Sequence, residues 1–337
     1  MKKIFFSCDC YPKFYLKTKT HELFALGKKE EPGSFLVGAL PFHTTDFKGF
    51  YSPEEYELNT SLEVDSSSDF KQVAPISQDH SLSFSTWDNQ VEKVKESIRS
   101  GLIQKLVLSR QTTFRFKEEI NVEQFFKTFQ RQNPSVAHFF YQEKARHAFF
   151  GGTPETLFFR EGSNLTTESV AGTIKMEADC NFLSDEKFLE EFNIVKDQLV
   201  KILTPFAQTL EASKTGIKEF KHLKHLHATI FAQLKQTNDL EILKALHPTA
   251  ALLGFPKRAS FNLLKSIETQ PRSLYGGPLG FLSESLSHIL VGIRSGFIEE
   301  KTLNAFTGVG IVKTSNSLDE WKELNLKLQP ISIWKNQ

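Results

Sequence analysis

Lys105-Leu106-Val107-Leu108-Ser109-Arg110 is an apolar run opened by a lysine, and two-residue alternation puts Lys105, Val107 and Ser109 on one face of a strand. Just before it, from Asn89, the residues Val91, Val94, Ile98 and Leu102 recur at helical spacing, and Ser100-Gly101 close the run. A helix therefore feeds a strand. Further on, Ala148-Phe149-Phe150 and Leu157-Phe158-Phe159 flank Gly151-Gly152-Thr153-Pro154-Glu155, which reads as strand, tight turn, strand with an acid at the turn's exit. Over 187–203, Phe188, Phe192, Val195, Leu199 and Ile202 make one apolar helical stripe, with Glu190 on the far face and Glu191 at the stripe's edge. A helix over 239–246 stops before His247-Pro248. The last helix, over 318–328, sets Trp321, Leu324 and Leu328 on one side and Glu320, Glu323 and Lys327 on the other. The first 85 or so residues mix short Phe-rich runs with polar turns and read as strands and loops.

Composition narrows the function classes. The 337 residues carry 41 Lys+Arg against 40 Asp+Glu, a formal net charge of +1, which argues against a nucleic-acid partner held by bulk charge. Apolar content, with 32 phenylalanines, suffices for a large core. Cys8, Cys10 and Cys180 cannot frame a chain of this size with disulfides, which points to a reducing compartment. The apolar run Ile4-Phe5-Phe6 falls short of the roughly seven residues of an export signal. No run approaches the roughly 18 residues of a membrane helix. A cytoplasmic globule with no membrane association is the expectation.

Periodicity alone leaves the charged positions ordinary. Glu323 and Lys327, at i and i+4, read as a surface ion pair, Glu191 as an acid reaching water, and Lys105 as a side chain that snorkels or is buried. His222, His225 and His227 lack the Cys or acid spacing of a metal cluster and read as solvent or core histidines. Gly308-Val309-Gly310 lacks the third glycine and the following helix of a dinucleotide fingerprint.

Eight segments, taken in order, carry a resemblance. They are Lys105–Arg110, Gly152–Glu155, Val170-Ala171-Gly172-Thr173, Leu246–Thr249, Tyr275–Pro278, Ile293-Arg294-Ser295, Gly308–Val312 and Glu320-Trp321-Lys322-Glu323. Together they resemble the chorismate-utilising enzymes, and most closely the isochorismate synthases. The resemblance implies one α+β domain over 1–337, with 1–88 as a variable N-terminal part and 89–330 as the chorismate-binding region. In that fold two large, mainly antiparallel β-sheets pack together, helices lie outside, and a deep cleft holds chorismate and Mg²⁺.

Carried over by position, Lys105 resembles the general base that activates the water attacking C2 of chorismate. Glu155 resembles the general acid that protonates the departing C4 hydroxyl. Hydroxide is a poor leaving group and water a poor nucleophile, so the chemistry needs both. Glu191 and Glu323 resemble Mg²⁺ ligands, with Glu320 supporting a metal-bound water. Arg294, Tyr275, Lys327 and the amides around Gly308 and Gly310 would hold the substrate carboxylates. Ala171, Gly172, Thr173 and His247 would line the ring pocket.

Two positions discriminate within the family. Aminodeoxychorismate synthases carry a nucleophilic lysine where this chain has Ala171. Anthranilate synthases carry a glutamine where it has Lys105, because ammonia is their nucleophile. The resemblance thus implies water addition, with no amidotransferase subunit and a monomer. Isochorismate could feed menaquinone, the favoured pathway, or siderophore synthesis. Salicylate synthases, which go on to eliminate pyruvate, share both residues and stay open as an alternative, as does a catalytically silent homologue. The chain departs from the family at Phe192, where a histidine often follows the first metal glutamate, and at Gly296, where alanine is frequent.

Overall fold

The computed structural model describes the chain except residues 2–3, 32, 45–47, 60–73, 177–182, 220–222 and 337. Cys180, His222 and the side chain of Thr173 lie outside the described residues. Six strands come first: β1 (Lys13–Lys17), β2 (Glu22–Leu26), β3 (Leu36–Ala39), β4 (Phe50–Tyr51), β5 (Glu55–Asn59) and β6 (Ser77–His80). Helix α1 (Phe84–Arg99) then leads into β7 (Lys105–Arg115) and α2 (Val122–Gln132). Next come β8 (Ala137–Lys144), β9 (His147–Thr153), β10 (Thr156–Glu161), β11 (Asn164–Lys175) and α3 (Glu186–Leu203). Strands β12 (Ala207–Ala212), β13 (Gly216–Glu219) and β14 (Leu223–Leu234) precede α4 (Asp239–Leu246), β15 (Gly254–Phe255) and α5 (Lys257–Ile267). The chain closes with β16 (Pro278–Leu282), β17 (Leu286–Val291), β18 (Ser295–Glu299), β19 (Thr302–Ile311) and α6 (Ser317–Leu328).

The strands form two sheets, and every described pairing is antiparallel. A ten-stranded sheet runs β15-β7-β19-β18-β9-β8-β1-β2-β5, with β6 on β7. A nine-stranded sheet runs β12-β14-β11-β10-β17-β16-β3-β4, with β13 on β14. The N-terminal strands thus enter both sheets. Phe14, Leu16, Leu23, Phe139 and Phe149 of the first sheet meet Val37, Leu279, Phe281 and Leu290 of the second in one buried cluster, so the sheets pack face to face there. A second core joins α1, α3, α4, α5 and α6 to the sheets, and a Phe-rich third lies under α2.

Local chemistry sets the helix ends. Helix α1 begins five residues before Asn89, because the Ser83 side chain caps it by accepting from Thr86 N and because buried Trp87 continues the Val91–Val94 stripe. Leu102 falls beyond the helix and is exposed. Helix α4 matches its expected bounds. The Gly152–Glu155 turn is present, but β9 and β10 do not pair with each other. They belong to different sheets, and the turn carries the chain across. Among the described residues no helix is long and apolar enough to cross a membrane.

One buried ion pair pins α4 to the second sheet. Arg160, 1% exposed, donates to both Asp239 oxygens (Nε–Oδ1 2.6 Å, Nη2–Oδ2 2.7 Å) and to the carbonyls of Gly162, Ser283 and Glu284. Asp239→Ala leaves a buried guanidinium with carbonyl partners but no counter-charge. The expected loss is about 3 kcal/mol, read from a urea unfolding midpoint that falls with little change in slope.

Candidate active site

A cleft of about 680 Å³, counted to its open mouth, lies where the two sheets part. Glu155, Ala171, Gly172, Glu191, Tyr275, Arg294, Gly308, Gly310 and Lys327 line it, together with Val107, Val170, His225 and Phe306. Residues from β7, β11, β14, β19, α3 and α6 therefore converge from more than 200 positions of sequence.

Two chain crossings between the sheets form the cleft's floor. The first, Thr153 to Thr156, carries Glu155; the second, Val291 to Ser295, carries Arg294. They lie side by side, since Val291 N donates to Glu155 O (3.2 Å) and Gly152 N to Arg294 O (3.2 Å). Arg294 adopts φ 47°, a left-handed conformation that costs energy in a residue with a side chain and that the two neighbouring crossings hold in place. Glu155 is 6% exposed. Burial, then the negative charge of Glu168, push its carboxyl up to about 7, against the lowering pull of Lys105, Lys218 and Lys327. A large fraction of Glu155 therefore keeps its proton at neutral pH. Burial lowers Arg294 to about 10, which leaves it a cation.

Lys105, the first residue of β7, is fully buried. Its Nζ stands 3.1 Å from Glu191 Oε1, an ion pair without hydrogen-bond geometry. Nζ thus makes no hydrogen bond among the described residues, which is unusual for a buried polar atom. Gly310 makes this meeting possible: a Cβ there would lie 2.2 Å from Glu191 Oε1 and 2.7 Å from Lys105 Cε. On the same strand, a Cβ at Gly308 would meet the Tyr275 hydroxyl at 2.7 Å. Tyr275 stacks on Phe306 with ring centroids 5.3 Å apart, and burial raises its phenol so that it stays protonated. Lys327 donates to Gly308 O (2.9 Å) and pairs with Glu323 (2.8 Å), which fixes α6 over the two glycines.

Five expected residues fall outside the cleft wall: Lys105, fully buried behind Glu191, and His247, Thr173, Glu323 and Glu320. His247 is buried and does not line the cleft; its Nε2 lies 3.0 Å from Phe42 O, and burial lowers it to about 3, so it is neutral. Thr173 follows Gly172 on β11, opposite His225. Glu323 sits beside Lys327, and Glu320, one turn earlier on α6, is 1% exposed, so this face of α6 is not a solvated one. Among the described residues no three carboxylate, imidazole or thiol groups converge into a closed metal cage. Glu191 lies against Gly310, and Glu323 pairs with Lys327, which reaches Gly308 O, so both carboxylates belong to the 308–310 end of β19. An all-oxygen set with few protein ligands fits Mg²⁺, which keeps water and substrate oxygens in its shell.

His225 is a site residue that the sequence does not reveal. Its Nε2 is 2.7 Å from Arg294 Nη2 and its Nδ1 is 3.1 Å from Gly172 O, so Nε2 accepts and Nδ1 carries the hydrogen. Burial, then the Arg294 charge, lower it well below the usual histidine range and keep it neutral. It thereby ties Arg294 to the irregularity at Gly172 in β11, where the register with β14 shifts and φ is +69°.

The chain is 34% identical to isochorismate synthase MenF of Haemophilus influenzae over 95% of this chain and 85% of that protein. It is also 34% identical to isochorismate synthase MenF of Pasteurella multocida, over 72% of this chain and 59% of that one. The structure superposes on that of MenF, the menaquinone-specific isochorismate synthase of Escherichia coli, with a TM-score of 0.86 at 22% identity, covering 98% of this chain and 90% of the other. At that identity the likeness shows the fold: α+β, with the two packed sheets described above. A family model described as chorismate binding enzyme matches residues 37–333, and with nearly nine-tenths of its length so matched the chain belongs to the chorismate binding enzyme family.

Proposed function

We propose that the protein is an isochorismate synthase, adding water at C2 of chorismate with loss of the C4 hydroxyl, and that its product serves menaquinone synthesis. The observation that carries the reading is Glu155, a buried acid that keeps much of its proton at neutral pH, in a cleft walled also by Arg294 and Lys327, with Lys105 buried behind the wall residue Glu191. Such walls suit a dicarboxylate, and such an acid suits a hydroxyl that must leave as water. Lys105 takes the proton of the attacking water, Glu155 gives one to the leaving oxygen, and Arg294, oriented by His225, holds a carboxylate. Tyr275 donates from its phenol, and the glycines at 308 and 310 let backbone approach the substrate. Ala171 offers no amine for covalent capture of the ring, and no ammonia-supplying subunit is needed. Glu191 and Glu323, with Glu320 behind them, would hold Mg²⁺. Bound there, the ion would neutralise and orient the ring carboxylate.

Incubation of the purified protein with chorismate, with and without Mg²⁺, tests the reading. Isochorismate without pyruvate, formed only with Mg²⁺, is the expected product. Salicylate with matching pyruvate would replace water addition alone by addition and elimination, and unchanged chorismate would make the protein a binder. For the metal, Glu323→Gln is expected to weaken Mg²⁺ binding by on the order of tenfold or more. Calorimetric Mg²⁺ titration and the Mg²⁺ dependence of the rate both read this, and an unchanged titration would remove Glu323 from the ligand set.

A further inference from the structure

The strands that carry the cleft wall continue past it into a charged cluster that the steps above do not use. On β11, alternation sets Glu168 on the face of Val170, a wall residue; on β14, His227 shares a face with His225. Val170 lies opposite His227 and Glu168 opposite Thr229, so Glu168 and His227 meet on the diagonal, with Nε2 3.1 Å from Oε1. From the edge strand β13, Lys218 Nζ lies 2.8 Å from the same Glu168 oxygen and 3.4 Å from the carbonyl O of Pro154. Lys218 therefore straddles Glu168 and the residue before Glu155.

We propose that Glu168 is a positioning residue for Glu155: clamped as an anion by Lys218 and His227, it steadies the Pro154–Glu155 turn and sets the charge that the acid faces. The inference rests on reading Glu155 as the general acid. Burial pushes Glu168 up, but the hydrogen bond with His227 and the charge of Lys218 outweigh it and hold the group at about 2. It is thus an anion throughout the neutral range. The groups that act on Glu155 are Glu168 from β11, Lys105 from β7, Lys218 from β13 and Lys327 from α6. Arg294 and Tyr275 feel Glu155 in turn. Glu168 raises Glu155, whereas the three lysines lower it. The two ends of one ion pair therefore act on the acid with opposite sign.

That opposition separates charge-setting from a merely structural role. Glu168→Gln removes the anion that raises Glu155, so the Glu155 midpoint falls. Lys218→Met removes a cation, so it rises. The ¹³C resonance of the Glu155 carboxyl, assigned by its loss in Glu155→Gln, is titrated in ligand-free protein. The expected midpoint is lower by about one pH unit in Glu168→Gln, higher in Lys218→Met, and near wild type in Glu168→Asp. The alkaline limb of kcat/KM for chorismate should move with it. Midpoints that move the same way, or not at all, would overturn the proposal. If Glu168→Gln does not fold, a Lys218→Met midpoint that stays or falls does the same. A wild-type protein that leaves chorismate unchanged would remove the functional reading, while the carboxyl titration still decides the role of Glu168.

Discussion

Lys105→Ala is expected to lower turnover of chorismate by about 10²- to 10⁴-fold, with the fold retained. Lys105 is fully buried at the start of β7, and among the described residues its Nζ forms its ion pair with Glu191, at 3.1 Å. Breaking a fully buried ion pair commonly costs roughly 3–5 kcal/mol, but Glu191 retains 14% exposure at the cleft wall. Water can therefore solvate it once the ammonium is gone, and the loss in stability falls below that range. Lys105→Arg separates two explanations. If the residue supplied only positive charge, arginine would restore much of the rate. As a base it must give up a proton before taking one from water, which a guanidinium does not do, so Lys105→Arg should stay as slow as Lys105→Ala. Initial rates at saturating Mg²⁺ and a thermal melt decide the matter; near-wild-type turnover in either variant would end the base assignment.

What could be read from the sequence follows from how locally each feature is encoded. Helices α3 and α6 were legible because one apolar stripe specifies each, and α4 because His247-Pro248 stops it. Helix α2 was not: Phe125, Phe126 and Phe129 crowd its buried face, and a short Phe-rich run looks the same in a strand. Glu155 was legible only as the exit of a turn. That the turn crosses between sheets, and so buries the acid, depends on β10 pairing with β17 instead of β9. Lys105 and Glu191 are likewise ordinary in sequence, and their meeting requires a glycine more than a hundred residues away, at 310. His225 shows the limit most plainly. Alternation along β14 groups it with His227, but its partners Gly172 and Arg294 come from a neighbouring strand and a distant crossing. The family resemblance supplied the roles of the charged residues, because those roles belong to the assembled cleft. It also placed His247 at the ring pocket; in the fold its Nε2 lies 3.0 Å from Phe42 O, behind the residues that line the cleft.

Glu155→Gln is the second large effect, and its pH dependence carries the sign. The amide keeps the size of the side chain and its hydrogen bonding but has no acidic proton, so protonation of the leaving hydroxyl falls to solvent, at an expected loss of about 10²- to 10⁴-fold. In the wild type the competent form is the protonated acid. With the carboxyl pushed up to about 7, by burial first and Glu168 second, that form predominates below pH 7 and is lost as the pH rises through it. The alkaline limb of kcat/KM, which reports the free enzyme, should therefore bend near pH 7 and fall about tenfold per pH unit above it. The limb of kcat should bend at higher pH. Chorismate brings two carboxylates into the cleft, and added negative charge favours the neutral acid further. In Glu155→Gln the residual rate should lose this bend. A bend near pH 7 that survives the substitution would belong to another group and would remove Glu155 as the proton donor, whatever the size of the rate loss.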